Sequence, residues 1–176
     1  VIVVLHNGSP VEMPWLPKCK ALIHGYLCGQ AGASSVLKAV MGQVNPCGKL
    51  AETYPVKYED VSSAPYFPAK ERTAEYRESV FVGYRYFETA NVPVLFPFGF
   101  GLSYTTFEYS DLTVTDKEAT FTLKNTGKMD GAEVAQLYVS KTDGDVFRPA
   151  KELKGFQKVF LKAGESKKVT IPLDDK

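Results

Sequence analysis

Three stretches in the last third of the chain alternate apolar and polar residues with a period of two. ATFTLKN places Ala119, Phe121 and Leu123 on one face, GAEVAQLYVSK places Ala135, Leu137 and Val139 together, and KKVTIPL does the same with Val169, Ile171 and Leu173. Successive side chains of a strand point to opposite sides of its sheet, so each stretch demands a strand with one buried face. The segments between them, NTGKMDG, KTDGDVFRP and KAGE, carry the glycine, asparagine and aspartate that tight turns use. Strands of this length joined by such turns predict an antiparallel β-sandwich.

The start of the chain obeys a different rule. VIVVL, residues 1 to 5, is an unbroken apolar, largely β-branched run, which predicts a strand buried on both faces, as in a parallel sheet covered by helices. HNGSP then reads as a turn, since Asn7 and Gly8 tolerate left-handed backbone and Pro10 cannot continue a ladder. Asn7-Gly8-Ser9 also fits a glycosylation acceptor, but Asn-Gly is what a turn needs, and the turn reading is taken. Ala21 to His24 predicts a second short strand, and QAGASSVLKAVMGQ a helix with Val36, Leu37, Val40 and Met41 on one face and Gly42 as its stop. NPCG, from Asn45, is a turn by composition, and Leu50 to Tyr54 predicts a strand ended by Pro55. From Pro55 to about Ser79 the chain reads as a long surface excursion, after which VFVGYRYF, Val80 to Phe87, predicts a strand.

The two patterns meet near Gly101, inside the ring-rich stretch FPFGFGLSYTTFEYSDL. Phe96, Phe98 and Phe100 flank glycines that let the backbone turn, while Tyr104, Phe107 and Tyr109 enter the alternating region. Two readings stand: the rings pin two domains through an apolar contact, or they fill the core of one.

Composition narrows the function classes. Of 176 residues, 44% are hydrophobic, enough for a core without staples. Lysine and arginine number 21 against 20 acidic residues, and this balance, without long like-charge runs, argues against nucleic acid and membrane-surface roles. Nothing approaches the ~20-residue apolar run of a spanning helix. Cys19, Cys28 and Cys47 are odd in number and lack metal-ligand spacing, so free buried thiols are expected and a reducing compartment such as the cytoplasm is favoured. No metal site or cofactor is expected. A triad of His24 with Ser34 or Ser35 is rejected because GASSV lacks a nucleophile elbow, and His24 reads as a satisfied core histidine. Gly25, Gly29 and Gly32 lack phosphate-loop spacing and read as helix packing.

VIVVLHNGSPVEMPW, GYLCGQAGASSVL, NPCGKLAETYP, YRESVFVGYRYFE, LFPFGFGLSYTTFEYSDL, KNTGKMDGAEVAQLYV, RPAKELKGFQKVFLKAGE and VTIPL, in this order, resemble the C-terminal portion of glycoside hydrolase family 3, the β-glucosidase-like enzymes. The resemblance covers essentially the whole chain. It implies a β/α barrel upstream, then an α/β sandwich domain, then a fibronectin type III-like domain. Residues 1–101 would be the latter part of the α/β sandwich domain, and 102–176 an immunoglobulin/fibronectin III-like sandwich lacking its last strands. Both ends fall short of the family pattern, and the open strand edges this leaves predict a homodimer if these residues fold alone.

Retaining glycoside hydrolysis uses two carboxyl groups about 5 to 5.5 Å apart. The resemblance puts the nucleophilic aspartate on the missing barrel and the acid/base glutamate upstream of VIVVL, so no catalytic residue is assigned here and the chain alone is expected to be inactive. The carboxylates near loops are Glu71, Glu75 and Glu78, the last two sharing a face if AEYRES is helical. For them a solvated loop is one reading; the sharper one brings Glu78, in the family-like YRES, and Trp15, ending VEMPW, to the rim of a sugar site. An indole face suits a sugar ring, although a lone tryptophan equally serves a core. The partner implied is a carbohydrate substrate. The alternative function is a non-catalytic module binding carbohydrate or protein.

Overall fold

The computed structural model describes residues 1–69, 72–141 and 143–173, grouped in two compact units. One comprises residues 1–44 and 50–98, the other 45–49 and 99 onward.

In the first unit, β1 (Ile2–Leu5) and β2 (Ala21–His24) pair in parallel, Ile2 opposite Ala21 and Leu5 opposite His24. Parallel strands need a crossover, and here residues 6–20 provide it with one short 3-10 turn, Leu16–Lys18. β1 departs from its expected double burial: Ile2 is 54% exposed, and burial alternates along the strand. The β-branched run made the strand, but β2 is its one ladder partner among the described residues. Helix α1 (Gly32–Val40) ends as its sequence predicts, with Gly42 at φ +69° just beyond it and the Gln43 amide donating back to the Lys38 carbonyl. Its first residue, Gly32, is buried against Cys28, where a side chain would not fit.

Two further strand expectations need correction. Leu50 to Tyr54 yields only a two-residue strand, β3 (Tyr54–Pro55), which includes the proline expected to stop it and pairs antiparallel with β4 (Val94–Phe96). Proline is tolerated there because the pairing is short and irregular. Val80 to Phe87 is not a strand; its second half opens helix α2 (Tyr84–Thr89). Gly83, at φ +52°, breaks the extended run, and its carbonyl accepts from the Tyr86 and Phe87 amides. The aromatic residues that favoured a strand are used for packing: Phe87 is buried and the Tyr84 ring stacks on Phe98 at 4.7 Å. Tertiary packing has overridden local propensity.

The second unit holds β5 (Phe107–Val114), β6 (Glu118–Asn125), β7 (Gly131–Val139), β8 (Glu152–Leu161) and β9 (Ser166–Pro172). They form two antiparallel sheets, ordered β5-β6-β9 and β7-β8. The alternating residues meet as the pattern demands: Phe121, Leu123, Ala135, Val159, Leu161, Val169 and Ile171 form one core, with Leu137 against it. Fully burying a side chain such as Leu123 or Leu161 stabilises by about 1.5–3 kcal/mol. Val139, the last residue of β7, is 38% exposed and lies outside this core. Within the core sits one polar plug, Asn125, wholly buried. Its Oδ1 accepts from Thr105 Oγ1 (2.7 Å) and the Gly127 amide, and its Nδ2 donates to the carbonyls of Met129 and Leu161.

Residues 45–49 are strapped into this second unit by their side chains. Asn45 Nδ2 donates to the Asp130 carbonyl, while its Oδ1 accepts from Ser103 Oγ and the Tyr104 amide. Lys49 donates to the Gly101 carbonyl and pairs with Glu133 at 2.8 Å. Of the rings in the stretch from Phe96 to Leu112, Phe96 lies edge-on to Tyr54 and Phe98 on Tyr84 in the first unit, while Tyr109 packs on Phe121 in the second.

Candidate functional site

In open α/β sheets ligands gather beyond the carboxyl ends of parallel strands. The residues leaving β1 and β2 on that side are His6 and Asn7, and Gly25 and Tyr26. They meet a third segment, Glu52 to Tyr54. Tyr54, 1% exposed, puts its hydroxyl 2.9 Å from His24 Nε2 and 3.4 Å from Asn7 Nδ2. The Asn7 amide nitrogen can only donate, so the hydroxyl accepts from it, while the direction of its bond with His24 Nε2 follows the imidazole's tautomer. Burial lowers the His24 pKa, with nearby His6 pushing the same way and the Leu5 carbonyl opposing. The Tyr26 ring lies over His24, centroids 3.8 Å apart, on a backbone at φ +51°. A bulky residue held in the left-handed region is strained, and such strain gathers where surrounding structure fixes a site.

Glu52 completes the group. Burial raises its carboxyl pKa above the ordinary range, moderated by the Tyr26 hydroxyl, and burial raises Tyr26 and Tyr54 as well. Asn7 Oδ1, His24 Nδ1, Tyr26 Oη, Glu52 Oε1 and Thr53 Oγ1 are all buried without a hydrogen bond of normal geometry. Because these polar atoms are covered, the cluster acts on the loops around it, holding them in place, and burial favours the protonated form of Glu52.

The loop after β1 receives a second tie. Glu12 Oε1 accepts from the Tyr58 amide at 2.7 Å, so Asn7 and Glu12 are both held by the segment 54–58. Met13, within this loop, is buried, and Trp15 at its end is half-buried, its carbonyl accepting from the Lys18 amide.

Glu78 lies elsewhere, in the turn 77–80. One of its carboxyl oxygens is buried with no partner, and Ser79 beside it has φ +52°. No hydrogen bond or ion pair joins Glu78 to Trp15. Glu75 is exposed and engaged by Arg77, whose guanidinium also sits 4.8 Å over the Tyr66 ring. The segment holding Glu75 and Glu78 is not helical, so they share no helical face. Glu71 lies outside the described residues. His24 is only half the satisfied histidine expected, bonded at Nε2 and not at Nδ1. Sequence reasoning missed Tyr26, Glu52 and Tyr54; the available signal was a lone glutamate two positions before a tyrosine in AETYP, too common to stand out. Among the described residues no group of three or more His, Cys, Asp or Glu side chains is placed to hold a metal ion.

Comparison with known proteins names the lineage. A model of the glycosyl hydrolase family 3 C-terminal domain matches residues 1–104, and one of a fibronectin type III-like domain matches 133–176. Thermostable beta-glucosidase B of Acetivibrio thermocellus is 51% identical over 182 residues, covering 99% of this chain but 24% of that protein. An exo-alpha-(1->6)-L-arabinopyranosidase of Bifidobacterium breve is 45% identical, over 100% of the chain and 24% of its own length. The crystal structure of a family 3 beta-glucosidase from Bifidobacterium adolescentis superposes with a TM-score of 0.93 at 44% identity, covering 99% of this chain and 27% of that one. The beta-glucosidase of Kluyveromyces marxianus in complex with glucose gives 0.91 at 43% identity, over 98% and 21%. The chain thus spans about a quarter of the length of the relatives it matches. It belongs to glycosyl hydrolase family 3, and carries that family's C-terminal domain followed by a fibronectin type III-like domain.

Proposed function

We propose that this chain is the C-terminal part of a retaining β-glycosidase that releases terminal β-linked sugars from non-reducing ends. One observation carries the reading: a β-glucosidase is 51% identical to the chain across 99% of its length. In this reading the chain divides near residue 101, with the partial α/β sandwich before it forming one wall of the sugar pocket. Trp15 and Glu78 approach that pocket's rim, and the fibronectin-like part serves as a brace. The half-buried indole of Trp15 and the buried, unpaired oxygen of Glu78 support their selection. The nucleophile belongs to a barrel that the chain does not contain, and the acid/base to a segment upstream of residue 1.

The test is an assay of the 176-residue chain beside the complete native protein on an aryl β-glucoside. The complete protein is expected to turn over and the chain alone to release no aglycone. Turnover by the purified chain would place a catalytic carboxylate within these residues and overturn the assignment.

A further inference from the structure

Of the buried polar groups, Tyr54 has an arrangement that reaches beyond its own neighbourhood. Its ring is buried and its hydroxyl bonds at once to the residue two positions past β1 and to the last residue of β2. Four residues on, the Tyr58 amide binds the carboxylate of Glu12, on the same loop as Asn7. That loop is therefore laid on a bed formed by residues 54–58 and fixed at two points, and it ends at Trp15.

We propose that Tyr54 is a positioning residue, whose hydroxyl clasps the loop of residues 7–15 to the end of β2 and thereby sets the orientation of the Trp15 indole. The proposal rests on the reading above only where it turns orientation into sugar affinity. Removing the hydroxyl takes from the Asn7 amide its bond to the bed, leaving it bonded within the loop to the Ser9 carbonyl, and leaves His24 Nε2 without its partner, so Glu12 remains as the loop's side-chain tie to residues 54–58. A stacking side chain contributes to substrate and transition state alike, so its displacement raises KM and leaves kcat in place.

The experiment uses the complete native protein with 5-fluorotryptophan incorporated, the Trp15 resonance being assigned by its loss in Trp15→Phe. Tyr54→Phe keeps the ring and deletes only the hydroxyl; Asn7→Ala removes the donor from a half-buried loop position and serves if the first variant folds poorly. A shifted or broadened Trp15 resonance in either variant, with KM raised several-fold and kcat held, is the expected result. A shifted resonance with unchanged KM would uphold the clasp and refute the sugar-facing role of Trp15. An unmoved resonance in both variants overturns the proposal, whatever happens to the rate.

Discussion

His24 and Glu52 show how two side chains in one cluster pull stability in opposite directions. His24 faces His6, Tyr26 and Tyr54, and burial holds its pKa below 6.5, so the folded chain binds fewer protons there than the unfolded one. The stability this supplies is complete above about pH 6.5 and is lost as pH falls through the native value. Glu52 behaves conversely: with its pKa raised above 4.5, its contribution is complete below that pH and is lost as pH rises through the native value. Tm followed from about pH 4 to about pH 8 separates them. Glu52→Gln is expected to gain Tm relative to the parent as pH climbs, and His24→Gln to flatten the loss on the acid side; parallel curves for all three would show that neither group titrates differently on folding. The cluster was half visible in the sequence. His24 and Asn7 drew attention by residue type, but the hydroxyl joining them comes from Tyr54, and no period or motif links positions that far apart in the chain.

At the scale of elements, β8 holds one position against the core with no room for a side chain. Gly155 sits opposite Leu137, and a Cβ there would come 2.5 Å from Ile171 Cγ2 in the core. Isoleucine is stiff about χ1 and cannot swing aside. Gly155→Ala is therefore expected to destabilise the second unit by about 1–3 kcal/mol, the usual range for overpacking, read as a lower denaturant midpoint at unchanged m; a neutral Gly155→Ala would mean that β9 yields. Strands β6, β7 and β9 were legible because period-two alternation is a local signal, whereas β5 is exposed along nearly its whole length and shows no such pattern. Val80 to Phe87 was not legible, since its β-branched and aromatic residues satisfy a strand's propensity while the left-handed Gly83 and the partners of Phe87 and Tyr84 lie outside any local window. The double burial expected of β1 failed for a related reason: an apolar run reports what a strand can bury, and its ladder partners decide what it does bury.

For the whole molecule, strand edges govern association. β7 and β8 pair only with each other among the described residues, so each offers one unpaired edge, and Phe156 and Phe160 stand exposed on β8. Open edges with apolar neighbours invite a second chain. If these 176 residues fold alone, sedimentation is expected to show a homodimer that dissociates on dilution; a monomer at every concentration would mean that the edges are protected.

The strap of residues 45–49 carries a different consequence. Asn45 and Lys49 reach the second unit's chain at Asp130, Ser103, Gly101 and Glu133, yet they are encoded between α1 and β3, inside the stretch that builds the first unit. A gene fragment opened at residue 99 would still specify every strand of β5 to β9, but the polypeptide it made would have empty sockets where those two side chains belong. The second unit is thus no cassette to be shuffled between proteins by a single cut. Recombination that moves it intact has to carry a piece of its neighbour along, which binds the inheritance of the two parts together.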